Sequence, residues 1–215
     1  MTVQPFIVGV EGPCLTGKST IIKHLTGKFE AHGWQVLCIP EYGQYAGGRE
    51  NLPPLISENA TAAKKNAEFL IELEGKRRQD IQSWNTRQQH HTPSIVFVDR
   101  LLLACLLIAR RVNDVTAYET LLEAINARQM IIPDLMVFLR MTLSPEEYER
   151  RLSTRTLSEN AEVIYDPTGY EEFFTSFRER ILPIHSLSYD ASSAGSVFDD
   201  VFRKATEGLH DHNPT

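Results

Sequence analysis

The sequence predicts a three-layer α/β fold, a five-stranded parallel sheet with helices on both faces. Three observations predict it. Short apolar runs alternate with longer stretches of helical spacing along the chain, and parallel strands need such crossover connections. The turn from Gly12 to Ser19, rich in small and glycine residues, separates the first apolar run from the first helical one. A length of 215 residues with 42% hydrophobic and 23% charged residues suits one packed domain rather than a disordered chain. We expect that domain over residues 1–209, followed by a polar tail over 210–215.

The elements follow in order. Residues 6–10 form a β-branched strand that runs into Glu11-Gly12. Residues 18–32 carry Ile21, Ile22, Leu25 and Phe29 at helical spacing, and Gly33 stops them. The second strand, 34–39, ends at Pro40, and the Gly- and Pro-containing segment 42–54 is expected as a long functional loop. A long helix over about 60–89 presents Phe69, Leu70, Leu73 and Ile81 as its apolar stripe. The third strand, 94–98, ends at Asp99-Arg100.

Two helical stretches, 101–111 and 116–129, precede Pro133 and a fourth strand at 135–139. Ser144-Pro145-Glu146-Glu147 combines a serine cap, a proline at the first position and early acids, which starts another helix. Helical spacing resumes over 169–181 through Phe173, Phe174 and Phe177. A fifth, weaker strand at 187–190 and a last helix over about 196–209 complete the chain.

Gly12-Pro13-Cys14-Leu15-Thr16-Gly17-Lys18-Ser19 has the form G-x-x-x-x-G-K-[ST] between a strand and a helix, which is a P-loop (Walker A). Glycines let successive backbone N–H groups curl around phosphate oxygens at a helix N-terminus. Lys18 is placed to reach the β/γ-phosphates and the Ser19 hydroxyl to hold Mg²⁺, with Thr20 as the next hydroxyl. The expected cofactors are therefore ATP, or a related nucleoside triphosphate, and Mg²⁺. Asp99 closes a central strand, where open α/β sheets place their ligands, and suits a carboxylate acting on magnesium. Glu41 and Arg100 follow the second and third strands and bring a base and a cation to one crevice.

These residues resemble the thymidylate kinase and deoxynucleoside kinase group of P-loop kinases. The likeness rests on Val10-Glu11-Gly12 with Gly17-Lys18-Ser19-Thr20, on Val98-Asp99-Arg100, and on Pro133-Asp134 leading through Phe138-Leu139-Arg140 to Ser144-Pro145-Glu146. It implies an arginine-bearing lid at about 151–168, in which Arg151 packs against adenine and Arg155 stabilises the migrating phosphoryl group. It implies that Arg100 holds the acceptor's phosphate or 5′-oxygen, and that Glu41 stands where deoxynucleoside kinases keep the base for a 5′-hydroxyl. Arg77 is similar to the arginine with which thymidylate kinases read their base, although Leu73 stands four residues before it in place of an aromatic. Tyr42 and Phe69 are further candidates for packing an acceptor, with Tyr45 and Tyr118 as background aromatics. Pro40-Glu41-Tyr42-Gly43 departs from the loop forms of both families.

Two functions fit these residues. One is ATP-dependent transfer to a nucleoside, nucleoside monophosphate or related small metabolite, and the other is a regulatory switch or ATPase acting on a protein partner. The sequence lacks the Asn-Lys-x-Asp and Leu-Ser-Gly-Gly-Gln motifs of GTPases and transporter ATPases. A net charge of −6 argues against nucleic-acid polymers and membrane surfaces as partners. Three cysteines without metal-ligand spacing, no signal-peptide pattern at the start, and no apolar run of spanning length point to the cytoplasm. His90, His91, His210 and His212 receive no role. Residues 101–108 are apolar on every side, which suits either a homodimer contact or burial in the core.

Overall fold

The computed structural model describes residues 4–54, 56–88, 92–154, 163, 166–180, 185–190 and 194–211. Its sheet has five strands, β1 (Phe6–Glu11), β2 (Gln35–Ile39), β3 (Ser94–Asp99), β4 (Leu135–Arg140) and β5 (His185–Asp190), in the order β2-β3-β1-β4-β5. All neighbours are parallel. The expected α/β class and five-stranded parallel sheet are thus what the chain forms, with strand ends shifted by one or two residues.

The period of two along each strand divides the core into two layers. Ile95 and Phe97 of β3, with Val8 and Val10 of β1, face one side and join Leu25 and Phe29. Those two belong to α1 (Lys18–Ala31), which packs against the last helix, α8 (Ala194–Asp211). Val96 and Val98 face the other side and meet α3 (Ala60–Arg87), α4 (Leu102–Arg111), α5 (Val115–Asn126) and α7 (Tyr170–Arg180). Because β3 is covered on both faces, all six of its residues are buried.

Three expectations change. The segment 42–54 is not loop throughout: it holds a short helix, α2 (Tyr42–Tyr45), and a 3-10 turn, Arg49–Asn51. The last helix continues to Asp211, so the first two residues of the expected tail are helical. The apolar sides of α4 are covered by α3, α5 and α7 of the same chain, so the surplus apolar surface that suggested a homodimer is absorbed in its own core.

The helix α6 (Pro145–Ser153) starts as its sequence dictates, with the Ser144 hydroxyl accepting from the Glu147 N–H at 3.3 Å. Of the lid, only 151–154, 163 and 166–168 belong to the described residues, and Arg155 lies outside them. His90 and His91 lie outside them as well. Among the described residues, no helix is long and apolar enough to cross a membrane.

Candidate active site

The crevice opens at the carboxyl ends of β1, β2 and β3. Gly12 ends β1 at φ +139°, and a Cβ there would stand 2.4 Å from the Leu139 carbonyl oxygen, so only glycine fits against β4. The loop then closes on its own lysine. The Lys18 ammonium donates to the carbonyls of Pro13 (2.7 Å) and Gly12 (3.0 Å), and the Thr16 hydroxyl donates to Pro13 at 2.9 Å. Burial, and then repulsion from Arg100, lower the Lys18 pKa to about 8. Ser19 and Thr20 are exposed in the first turn of α1.

Two contacts hold the outer side of the loop. Leu15 has φ +69°, and its carbonyl accepts from Arg151 Nη1 at 2.9 Å. Cys14 is buried against Leu15 and the α6 residues Tyr148 and Leu152. Arg151 also donates to Glu147 Oε1 at 2.6 Å, so this predicted adenine-packing residue sits at the rim of the loop, where it fixes a backbone carbonyl. Beyond Pro13, a cavity of about 430 Å³ opens toward Phe138, Met141, Thr168 and Gly169.

Asp99 and Ser19 come together as expected. The Ser19 hydroxyl donates to Asp99 Oδ2 at 2.9 Å, while Asp99 Oδ1 is buried without a hydrogen-bond partner among the described residues. A hydroxyl beside a carboxylate with one unspent oxygen is a donor set that suits Mg²⁺, which takes few protein ligands and leaves the rest to phosphate and water. Among the described residues no group of three or more His, Cys, Asp or Glu side chains gathers for a metal.

Arg100 turns the chain with φ +63°, its N–H donating to the Val10 carbonyl at 3.1 Å. Its guanidinium donates to the Tyr170 hydroxyl (2.9 Å) and Cys14 Sγ (2.9 Å), and Nε stands 3.4 Å from Glu41 Oε2. Burial works against this charge, but Tyr170, Cys14, Glu11 and Glu41 outweigh it and push the pKa further up. Glu41 is the N-cap of α2, and Arg49 Nη2 reaches its other oxygen at 3.2 Å. Burial alone would raise the Glu41 pKa; Arg100, then Arg49 and Lys18, hold it below the ordinary value instead. The carboxylate is therefore ionised and faces the same crevice as Lys18 and Asp99.

Glu11 is a site residue to which the sequence reading gave no role. It is fully buried, and its Oε1 accepts the Leu101 N–H at 2.6 Å, which pins the turn carrying Asp99 and Arg100. Its Oε2 is buried without a hydrogen-bond partner among the described residues. Burial pushes its pKa up to about 7, against the pull of Arg100, the Leu101 N–H and Lys18. The pattern Val10-Glu11-Gly12 carries a signal for it, since a carboxylate ending an apolar central strand has no solvent to face.

Tyr42 and Arg77, expected as acceptor-packing residues, lie buried in a cluster with Glu74. Tyr42 is 4% exposed, its hydroxyl donates to Glu74 Oε2 at 2.7 Å, and its ring lies 4.4 Å below the Arg77 guanidinium. Arg77 is 0% exposed and donates to Glu74 (2.8 Å) and to the carbonyls of Pro40, Asp99 and Arg100 at 3.2, 3.1 and 2.9 Å. It braces the exits of β2 and β3 from behind. Phe69 is 37% exposed on α3. Tyr45 donates to Asp80, and Tyr118 is partly buried against the α3–α5 layer.

No protein-family model matches the chain. No curated protein matches it either. Solved structures do: a deoxyadenosine kinase from M. mycoides, determined with the products dCMP and a flexible dCDP, is similar at 18% identity and a TM-score of 0.58. The match covers 94% of this chain and 100% of that one. The likeness is one of fold: the five-stranded parallel sheet and its helices share the architecture of that enzyme.

Proposed function

We propose that this chain transfers the γ-phosphoryl group of ATP to a hydroxyl of a small acceptor of the nucleoside class, with Glu41 as general base. The observation that carries the reading is the Glu41 carboxylate, ionised and 3.4 Å from Arg100, in the crevice that holds the Ser19–Asp99 pair. An acceptor that already carries a phosphate needs no base, so a carboxylate here favours a hydroxyl. The nucleoside class comes from the family resemblance and from the deoxyadenosine kinase that shares the fold.

In this scheme Glu41 takes the hydroxyl proton as the acceptor oxygen bonds to the γ-phosphorus and the bridging oxygen leaves with ADP. Phosphoryl transfer is mostly positioning and neutralisation of charge. The P-loop N–H groups and Lys18 hold the triphosphate, and Lys18 exchanges the carbonyls of Gly12 and Pro13 for phosphate oxygens. Ser19 and Asp99 would hold Mg²⁺, which neutralises phosphate charge when bound. Arg100 orients Glu41 and the acceptor oxygen, Arg151 secures the loop, and Arg155 is assigned to the migrating phosphoryl group by the resemblance alone. A base at this position is worth about 10²–10⁴-fold.

The test is ADP release by purified protein against a panel of nucleosides, nucleoside monophosphates and other hydroxyl acceptors, with Lys18→Ala beside it. The proposal expects release that depends on a nucleoside-type hydroxyl and disappears in the variant. Release indifferent to every acceptor would instead favour an ATPase or switch.

A further inference from the structure

We propose that Arg49 is a positioning residue for Glu41, seated on the carboxylate by the glycine-rich turn between α2 and α3. Resting on the assignment of Glu41 as base, it adds a residue that neither the sequence motifs nor the fold likeness singles out. Arg49 Nη2 meets Glu41 Oε1 at 3.2 Å while Arg100 Nε stands 3.4 Å from Oε2. Each carboxylate oxygen thus has its own guanidinium, and the carboxylate plane is fixed from two sides.

The path of the chain is built for this contact. A Cβ on Gly43 would stand 2.8 Å from Arg49 Cγ, so the stem of the arginine crosses α2 where the helix has no side chain. Gly47 and Gly48, at φ +81° and +151°, reverse the direction of the chain immediately before it. The turn is closed by the Gly48 N–H on the Gly43 carbonyl (2.9 Å) and by Asn51 Nδ2 on the Ala46 carbonyl (3.0 Å). A solvated surface arginine needs none of these devices.

The charged groups facing Glu41 are Arg100 from the β3 exit, Arg49 from the 3-10 turn and Lys18 from the start of α1. Arg49 is 45% exposed and Glu41 21%, so solvent screens their pairing. Its removal therefore moves the Glu41 titration up, by less than removal from a buried pair would.

The experiment is a ¹³C NMR titration of the Glu41 carboxyl in the full chain, comparing wild type with Arg49→Ala, Arg49→Lys and Gly43→Ala, with kcat and KM against pH alongside. Arg49→Ala is expected to raise the Glu41 titration and the acidic limb of the rate profile together, and at neutral pH, where the carboxylate stays ionised, the loss of its fixed orientation lowers kcat about 3–10-fold while the KM for ATP stays put. Arg49→Lys restores most of both, and Gly43→Ala reproduces part of the loss by displacing the stem. An unmoved Glu41 titration in Arg49→Ala overturns the proposal, as does a rise in acceptor KM with the titration unmoved. Wild-type turnover in Glu41→Gln would defeat the base assignment instead, and the NMR shift would still decide whether Arg49 holds the carboxylate.

Discussion

Two charged clusters lie back to back behind the same strand ends, and they are used in opposite ways. In the Tyr42–Glu74–Arg77 cluster the carboxylate is spent inside the protein: Glu74 accepts from Tyr42, Arg77 and the Ile131 N–H, and Arg77 caps three carbonyls, with its Nε alone of the cluster's side-chain polar atoms left without a partner among the described residues. In the crevice cluster carboxylate oxygens are left over, since Asp99 Oδ1 and Glu11 Oε2 have no hydrogen-bond partner among the described residues. Charge density does not separate a brace from a site. Unspent carboxylate oxygens at the mouth of the Gly12–Ser19 turn do.

The contrast can be broken by mutation, with the largest effect expected in the brace. Arg77→Ala leaves Glu74 buried and unpaired, which should cost about 3–5 kcal/mol in urea unfolding while the acceptor KM of the folded protein stays unchanged. A large change in acceptor KM at intact stability would return Arg77 to the site. Lys18→Ala should do the reverse, lowering kcat about 10²–10³-fold with the circular dichroism spectrum retained.

Glu11→Gln sharpens the comparison through pH. With the folded pKa near 7 and the ordinary value 4.5, the folded wild type holds a proton that the unfolded chain releases. Wild-type stability should therefore fall as pH rises from 4.5 to about 7 and level off above. The variant lacks that slope, so its stability relative to wild type should grow by about 3 kcal/mol across the interval in denaturant titrations at stepped pH. A gap that does not widen with pH would mean that Glu11 is ionised throughout. The smallest effect belongs to Phe69→Ser, which should stay within about 0.5 kcal/mol and leave acceptor KM alone.

The fold was legible because its signals are local: five apolar runs, a cap at Ser144 and glycines at Gly12 and Gly33 each act over a few residues. The Gly12–Ser19 turn between β1 and α1 was legible for the same reason. What could not be read is where side chains on separate elements meet. Arg77 reads as a base-contacting arginine by resemblance, and nothing in the sequence shows that Tyr42 and the carbonyls at the strand exits close over it. Arg49 reaches Glu41 only because two turns with positive φ at Gly47 and Gly48 return the chain, a geometry that the loop's composition permits without specifying. The dimer argument from α4 failed because an apolar helix looks alike whether its own chain or a second one covers it.

The central claim, that the crevice activates an acceptor hydroxyl through Glu41, is tested most directly by Glu41→Gln. The measurement is ³¹P NMR of products formed from ATP with a nucleoside, beside calorimetric binding of ATP to the same protein. Wild type should yield ADP and a phosphorylated nucleoside in equal amounts, and the variant should form both about 10²-fold more slowly with unchanged affinity for ATP. Equal rates in the two proteins, or ADP without any phosphorylated acceptor, would contradict it.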